Sequence, residues 1–508
     1  MVIEYIIYFC VFAFSVISRA IPIVLLKNNS SLSDEYYYYE MADCLKDNKY
    51  HFQAKHPRLK PDVSFHLPAA YYYILALIPS NYREKFGGVI SAVSDGMQAV
   101  ILCVVLRHLL GADLANTLYM GIVYSISAPL VLSLSGPRTF EATPRTVGEL
   151  LAQCAVLSIV LYMSGYGVIY YIIGSVLASI AVNTSKFAAQ AYLFIIIIIG
   201  IITQETLILI NPIIVFLTAV IISNGYYINV LKAQFRHLVQ YSKCAKMTGS
   251  ILYRNNLGEV YKSIRARQVG RAVALLIYRC DYVQYVIKYN QVIIVLAVAF
   301  YAGKIIGNSF LVNMAIWVLV GNIIFALISF GTLAFLGEAE RYLQYIVMPT
   351  AIMLYYYSRY FTWIWQYYLV SSIIAYCIGV SLYYLNCRRY VNRGTLWSWL
   401  RMQADKRVAL WVGDMAPWEA IYKVKNRSWV VLDSWSKSIS NSEIDSYYLQ
   451  YPLVRECFEY FRNRYGVEII VMDRQAVTKY EKRYCVSYDT SKYKRLYQDQ
   501  IHEVYVMS

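Results

Sequence analysis

Charge is scarce in this chain, phenylalanine is scarce beside tyrosine, and the compact motifs of soluble enzymes are missing. Asp, Glu, Lys and Arg make up 15% of its 508 residues, where a soluble domain carries about 25%. With 58% hydrophobic residues, that shortage excludes a disordered chain and an ordinary cytosolic enzyme. Phe occurs 19 times against 52 Tyr. A protein buried wholly in hydrocarbon would favour the ring that lacks a hydroxyl, because each phenol needs a partner. Tyrosine belongs at wet edges such as membrane interfaces. No G-x-G-x-x-G follows a strand pattern, so nucleotide binding is not indicated. The six histidines show neither H-x-x-x-H nor H-E-x-x-H spacing, and the ten cysteines contain no C-x-x-C. No metal ligand or cofactor is therefore assigned; a divalent ion fits the chemistry below but draws no support from spacing. The start MVIEY has no basic region and no small-residue cleavage motif, so its apolar run is expected to stay as a first helix.

What the chain does have is long apolar runs, where about 20 residues suffice to cross a bilayer. They predict an α-helical polytopic membrane protein with about eleven spans: Ile3–Leu26, Phe86–Leu106, Leu114–Leu134, Val147–Ser164, Val168–Val182, Ala189–Thr203, Thr206–Ser223, Gln291–Ile306, Phe310–Leu336, Tyr342–Tyr357 and Phe361–Leu385. The run Leu67–Pro79 is too short, since thirteen helical residues rise only about 20 Å. It reads as a helix lying in the interface, a short true span being the alternative. With the N-terminus inside, the polar segments 27–85, 135–146 and 224–290 and the tail then share the outer face. Residues 1–387 are thus expected to form the membrane domain, and 388–508 a soluble α/β domain with strands near 408–412, 429–433, 467–473 and 503–506. The loop 224–290 holds eleven Lys/Arg against two acids. That pattern suits a solvated face or contact with anionic lipid better than nucleic acid.

The residues with candidate chemistry sit in the outer segments. Asp34-Glu35 is followed by a Tyr run, and His66 and Tyr71 flank Pro68. Arg138 and Arg145 bracket Glu141, Lys186 opens a span, and Glu338-Ala339-Glu340-Arg341-Tyr342 enters a late one. The structural alternatives are a helix start for the acids and headgroup anchors for the cations. Asp95 falls mid-span, where a carboxyl is costly and faces a partner or a cavity.

Taken in order, these features resemble the polyprenyl-phosphate-sugar glycosyltransferases of the GT-C superfamily, which include protein O-mannosyltransferases and the aminoarabinose transferases of lipid A. The matches are Asp34, Glu35, Tyr39 and Ala42; then Pro68, Tyr71 and Tyr72; then Lys186; then Glu338 or Glu340 with Arg341 and Tyr342. The sequence departs from the family pattern at His66-Leu67 before the interfacial proline and in the lack of an Asp from the second outer loop. The resemblance implies a GT-C-like membrane domain in the plasma (inner) membrane, with its active site on the extracytoplasmic face. It implies transfer of one sugar from a polyprenyl-phosphate carrier to a glycan, lipid or protein acceptor. Asp34 would be the base, supported by Glu35, and His66, Tyr71, Arg138, Arg145, Lys186, Glu338, Arg341 and Tyr342 would meet substrate. A surface-polysaccharide enzyme, such as an O-antigen glucosyltransferase, is the niche it suggests. A polysaccharide polymerase and a lipid-glycan flippase are the rival readings; the flippase would show paired halves, which the hydropathy does not.

Overall fold

The computed structural model describes residues 2–26, 35–62, 64–132, 140–248, 255, 257–301, 308–330, 333–389, 393–403, 407–413, 417–432, 435–436, 439–450 and 453–507. The chain divides into two compact units. One comprises Met1–Asn28, Lys85–Tyr227 and Ser250–Arg389, and the other Asn29–Glu84, Ile228–Gly249 and Tyr390–Ser508.

The regular structure of the first unit's described residues is all helical. Among the described residues, seven helices are long and apolar enough to cross a membrane, or nine if two helix pairs bent at short breaks count as one span each. The expected count of eleven is not confirmed by these helices. The described residues of every expected span fall mostly on helices, but apolar composition does not reveal where a helix stops. Val347–Ser358 has only 12 residues, and Val168–Thr184 has 17. Val347–Ser358 is buried at eleven of its positions, so its hydrophobicity reflects packing inside the bundle.

The helices are inside-out relative to those of a soluble protein. On Val89–Leu109 the residues Ser91, Ser94, Asp95 and Gln98 recur at helical spacing and are all buried, while Met97 and Val104 face outward. In lipid the polar stripe must find its partners inside the bundle. It does so: the Tyr124 hydroxyl donates to Gln98 Oε1 at 3.0 Å, and Gln153 Nε2 donates to Glu149 Oε1 at 3.2 Å and to the Gln344 carbonyl at 3.2 Å. Asp95 forms an ion pair with Arg19, both fully buried, and Arg19 Nη2 also donates to the Ser125 carbonyl at 2.7 Å.

The second unit is an α/β layer. Its strands in chain order are β1 (Leu59–Lys60), β2 (Val408–Val412), β3 (Trp429–Val430), β4 (Tyr448–Gln450), β5 (Leu453–Val454), β6 (Val467–Asp473), β7 (Lys494–Gln498) and β8 (His502–Val506). Six of them form one sheet in the order β1-β3-β2-β6-β8-β7. The first four are parallel, and β8 pairs antiparallel with both β6 and β7. The tail was expected to build this layer alone. Instead β1 comes from the first long polar segment, with Leu59 paired to Trp429 and Trp429 N donating to the Arg58 carbonyl at 2.9 Å. A two-residue strand has no periodicity to read, so nothing in the sequence announces it.

Candidate functional site

In the membrane unit three of the expected cations converge on one phenyl ring. Arg145 lies in the first turn of Pro144–Met163, where Thr143 caps the helix by accepting from Arg145 N at 3.3 Å. Lys186 opens Lys186–Thr203. Gly148 allows these two helix starts to meet: a Cβ there would lie 2.6 Å from Ser185 Cβ and 3.0 Å from Ala188 Cβ. Between them stands Phe187. The guanidinium carbon of Arg145 and Nζ of Lys186 each lie 5.1 Å from the ring centroid, and the Arg341 guanidinium lies 4.7 Å from it. Cations at that range are attracted to the ring quadrupole, and two helix N-termini add partial positive charge beside them. The cluster concentrates positive charge around one ring.

Arg341 arrives on a sharply bent segment. Gly337 has φ +122°, a conformation other residues rarely adopt, and its Cβ position lies 3.2 Å from the Phe187 ring. Arg341 N then donates to the Glu338 carbonyl at 3.0 Å, and the Glu338 carboxylate pairs with the Arg341 side chain. This resolves which acid serves Arg341, for Glu340 turns away and binds Lys288 at 2.9 Å. Tyr342 is buried; its hydroxyl contacts the Leu336 carbonyl at 3.1 Å and Gln190 Oε1 at 3.4 Å. The structure thus gathers Arg145, Lys186 and Arg341 around Phe187, a residue the sequence reading did not single out, with Glu338 paired to Arg341 and Tyr342 packed against Phe194. The only signal for Phe187 was adjacency to Lys186. Arg138 lies outside the described residues.

Glu35, His66 and Tyr71 belong to the other unit, and Asp34 lies outside the described residues. Glu35 opens the helix Glu35–Asp47 and is fully buried. Tyr71 is equally buried; burial first, then the charge of Glu35, push its phenol well above the ordinary range. His66 is buried, its backbone N donating to the Trp435 carbonyl at 3.3 Å.

Two further acids of the same helix, both missed in the sequence, anchor the unit. Glu40 Oε1 takes a hydrogen bond from His56 Nε2 at 2.9 Å and pairs with Arg58. Burial would raise its carboxyl, but these partners outweigh burial and hold it below its usual value. Asp43 accepts from Lys425 Nζ at 2.6 Å and Ser80 Oγ at 2.9 Å, and it pairs with the buried Arg83. Its carboxyl is likewise lowered against the effect of burial. Glu40, Cys44 and His56 bring donor atoms within 4.8 Å of one another, as a metal ion would require. The hydrogen bonds argue otherwise. Arg58 N–H points at His56 Nδ1 at 3.2 Å, which puts the imidazole proton on Nε2, where it is donated to Glu40 and leaves no lone pair there.

No family model matches the chain, and no curated protein sequence does. Solved structures do. An oligosaccharyltransferase from Archaeoglobus fulgidus, in complex with zinc and sulfate, superposes with a TM-score of 0.57 at 12% identity, over 94% of this chain and 69% of that one. ArnT from Cupriavidus metallidurans in its apo state gives 0.54 at 10% identity, over 96% of both chains. The same protein bound to undecaprenyl phosphate gives 0.54 at 10%, over 97% of both. The chain therefore shares its fold with these two proteins.

Proposed function

We propose that this chain is a GT-C glycosyltransferase that moves a single sugar from a polyprenyl-phosphate carrier to a glycan, lipid or protein acceptor at the extracytoplasmic face of the plasma membrane, with inversion. The observation that carries the reading is the cluster of Arg145, Lys186 and Arg341 on Phe187, in a fold shared with a protein described bound to undecaprenyl phosphate. Sugar transfer from such a carrier leaves a phosphate whose charge grows as the glycosidic bond breaks. Fixed cations that meet that charge lower the barrier, and Arg and Lys hold phosphate oxygens by charge-assisted hydrogen bonds.

Asp34 is the proposed base. It would take the acceptor hydroxyl's proton while the oxygen attacks the anomeric carbon from the side opposite the phosphate, with Glu35 as the supporting carboxylate. His66 and Tyr71 are proposed to bind substrate, and Arg138 to add a further cation. A bacterial surface glycan of the O-antigen or lipopolysaccharide kind is the proposed acceptor class.

The test uses the full-length protein in lipid nanodiscs with polyprenyl-phosphate sugars and candidate acceptors, following release of polyprenyl phosphate. Asp34→Asn, matched to wild type in its melting curve, is expected to lose at least about 100-fold in kcat. Transfer at the wild-type rate would remove Asp34 from the mechanism. Failure of the wild-type protein to release polyprenyl phosphate from any donor would sink the enzymatic reading.

A further inference from the structure

The segment 224–290 reads as a basic, solvated loop, yet one of its lysines is buried in the membrane unit. The Lys288 side chain is 1% exposed and its Nζ lies 2.9 Å from Glu340 Oε2, on a side chain 2% exposed. Its neighbour Tyr289 is fully buried, and the Tyr289 hydroxyl donates to the main-chain carbonyl of Glu340 at 3.1 Å. Both residues sit at the 78° break between the helices Asp281–Lys288 and Asn290–Tyr301. Glu340 is thus held twice, by its carboxylate and by its backbone, from one rigid corner.

Glu340 opens Glu340–Leu343, a four-residue helix that continues directly into the 3-10 turn Gln344–Ile346 and the helix Val347–Ser358. As the first turn of a longer helical stretch it is the end that frays most readily. Its position is set by tertiary partners. On one side these are Lys288 and Tyr289; on the other, Tyr342 reaches the Leu336 carbonyl and Gln190. Arg341 lies between the two anchors and projects onto Phe187. Charge points the same way: a buried, unneutralised Glu340 next to Arg341 would oppose binding of any anion there.

We infer that Lys288 is a positioning residue for the phosphate-binding cluster. It neutralises Glu340 and fixes the turn that carries Arg341, while touching no substrate itself. This inference rests on the function proposed above, and its test separates the two.

The first readout needs no substrate. In nanodiscs, amide hydrogen exchange over residues 337–346 is expected to accelerate in Lys288→Met relative to wild type, with the spans Val89–Leu109 and Pro144–Met163 unchanged. Unaltered exchange in 337–346 overturns the clamp. The second readout is donor kinetics. Lys288→Met is expected to raise the donor KM about tenfold with kcat little changed, and Lys288→Arg to restore most of the loss. Because Lys288 acts through Arg341, the double variant Lys288→Met/Arg341→Ala is expected to be no worse than Arg341→Ala alone. Additive losses overturn the inference. Should the Met variant fail to fold, Lys288→Met/Glu340→Gln carries the same test, since it breaks the geometry without burying a lone carboxylate. If wild type releases no polyprenyl phosphate from any donor, the function falls by itself and the exchange result still decides the clamp.

Discussion

Replacing Phe187 by Leu leaves a smaller apolar side chain and removes the ring's quadrupole. Three cations lie 5.1, 5.1 and 4.7 Å from that ring, inside the range of about 6 Å over which the attraction is felt, at about 0.5–1 kcal/mol for exposed pairs and about 2 when desolvated. Arg145, Lys186 and Arg341 are each partly buried. A ring offers two faces, so three cations cannot each take the full value, and about 2 kcal/mol for the set is a fair figure. Any two of the three lie within the sum of their distances to the centroid, and without the ring their repulsion would spread them. The phosphate would then have to gather them again on binding. Phe187→Leu is therefore expected to weaken polyprenyl-phosphate binding by about 30-fold, since each 1.4 kcal/mol is about tenfold, whereas Phe187→Trp keeps a quadrupole and should stay within about threefold. The assay is competition by polyprenyl phosphate for donor at low and high salt, with the donor KM read in parallel. Two results refute the reasoning. One is Phe187→Leu binding as wild type does. The other is Phe187→Trp falling as far as Phe187→Leu, which would make shape the cause and not charge.

Three other outcomes are expected. Asp95→Asn leaves Arg19 buried without its counter-charge and should cost about 3–5 kcal/mol, with Arg19→Met/Asp95→Leu much milder; thermal melting in detergent decides, and a wild-type midpoint for Asp95→Asn refutes it. Glu40 and Asp43 have lowered carboxyls in the folded unit, so their contribution is complete above the ordinary carboxylate value and is lost as pH falls through the lowered ones. Proteolysis or hydrogen exchange over residues 35–47 should therefore quicken on acidification from about pH 5 to about pH 3, and less steeply in Glu40→Gln; protection that rises with acid has the wrong sign. Gly413→Ala would place a Cβ 2.9 Å from Asp473 Cβ and 3.0 Å from Trp411 Nε1, an overpacking worth about 1–3 kcal/mol, and a melting curve of the sheet-bearing unit equal to wild type would show that the strand ends have room.

The sequence made the helices legible because lipid allows few alternatives: an apolar run in a bilayer must satisfy its backbone internally. It did not reveal where helices stop, because a stop depends on local backbone and packing. Val347–Ser358 follows a 3-10 turn at Gln344–Ile346, which composition does not mark. The cations Arg145, Lys186 and Arg341 were legible as charges at span ends, but their convergence was not. It depends on Gly148 admitting the start of the next helix and on the positive φ of Gly337, contacts between residues far apart in the chain. The choice between Glu338 and Glu340 could not be made from spacing. Glu338 serves Arg341 three residues on, while Glu340 finds Lys288 across 52 positions.

The same point changes the meaning of the basic segment 224–290. Counted as a run of eleven cations, it looks like one electrostatic surface. In the structure its described members have different fates. Arg236 donates to Asn441 Oδ1 at 3.0 Å and to the Ser436 carbonyl, and Lys243 pairs with Asp445, so these two tie the helix Tyr226–Thr248 to the α/β layer. Lys288 is buried against Glu340. Arg265, Arg267 and Arg271 stay exposed, beside the exposed Ile264, Val269 and Val273, the mixture expected of a helix pair lying at a headgroup surface. A net charge weights all these cations equally, but burial does not. Only those exposed on helices can supply a salt-sensitive attraction to anionic lipid, whereas Lys288 acts over a single contact that salt cannot screen.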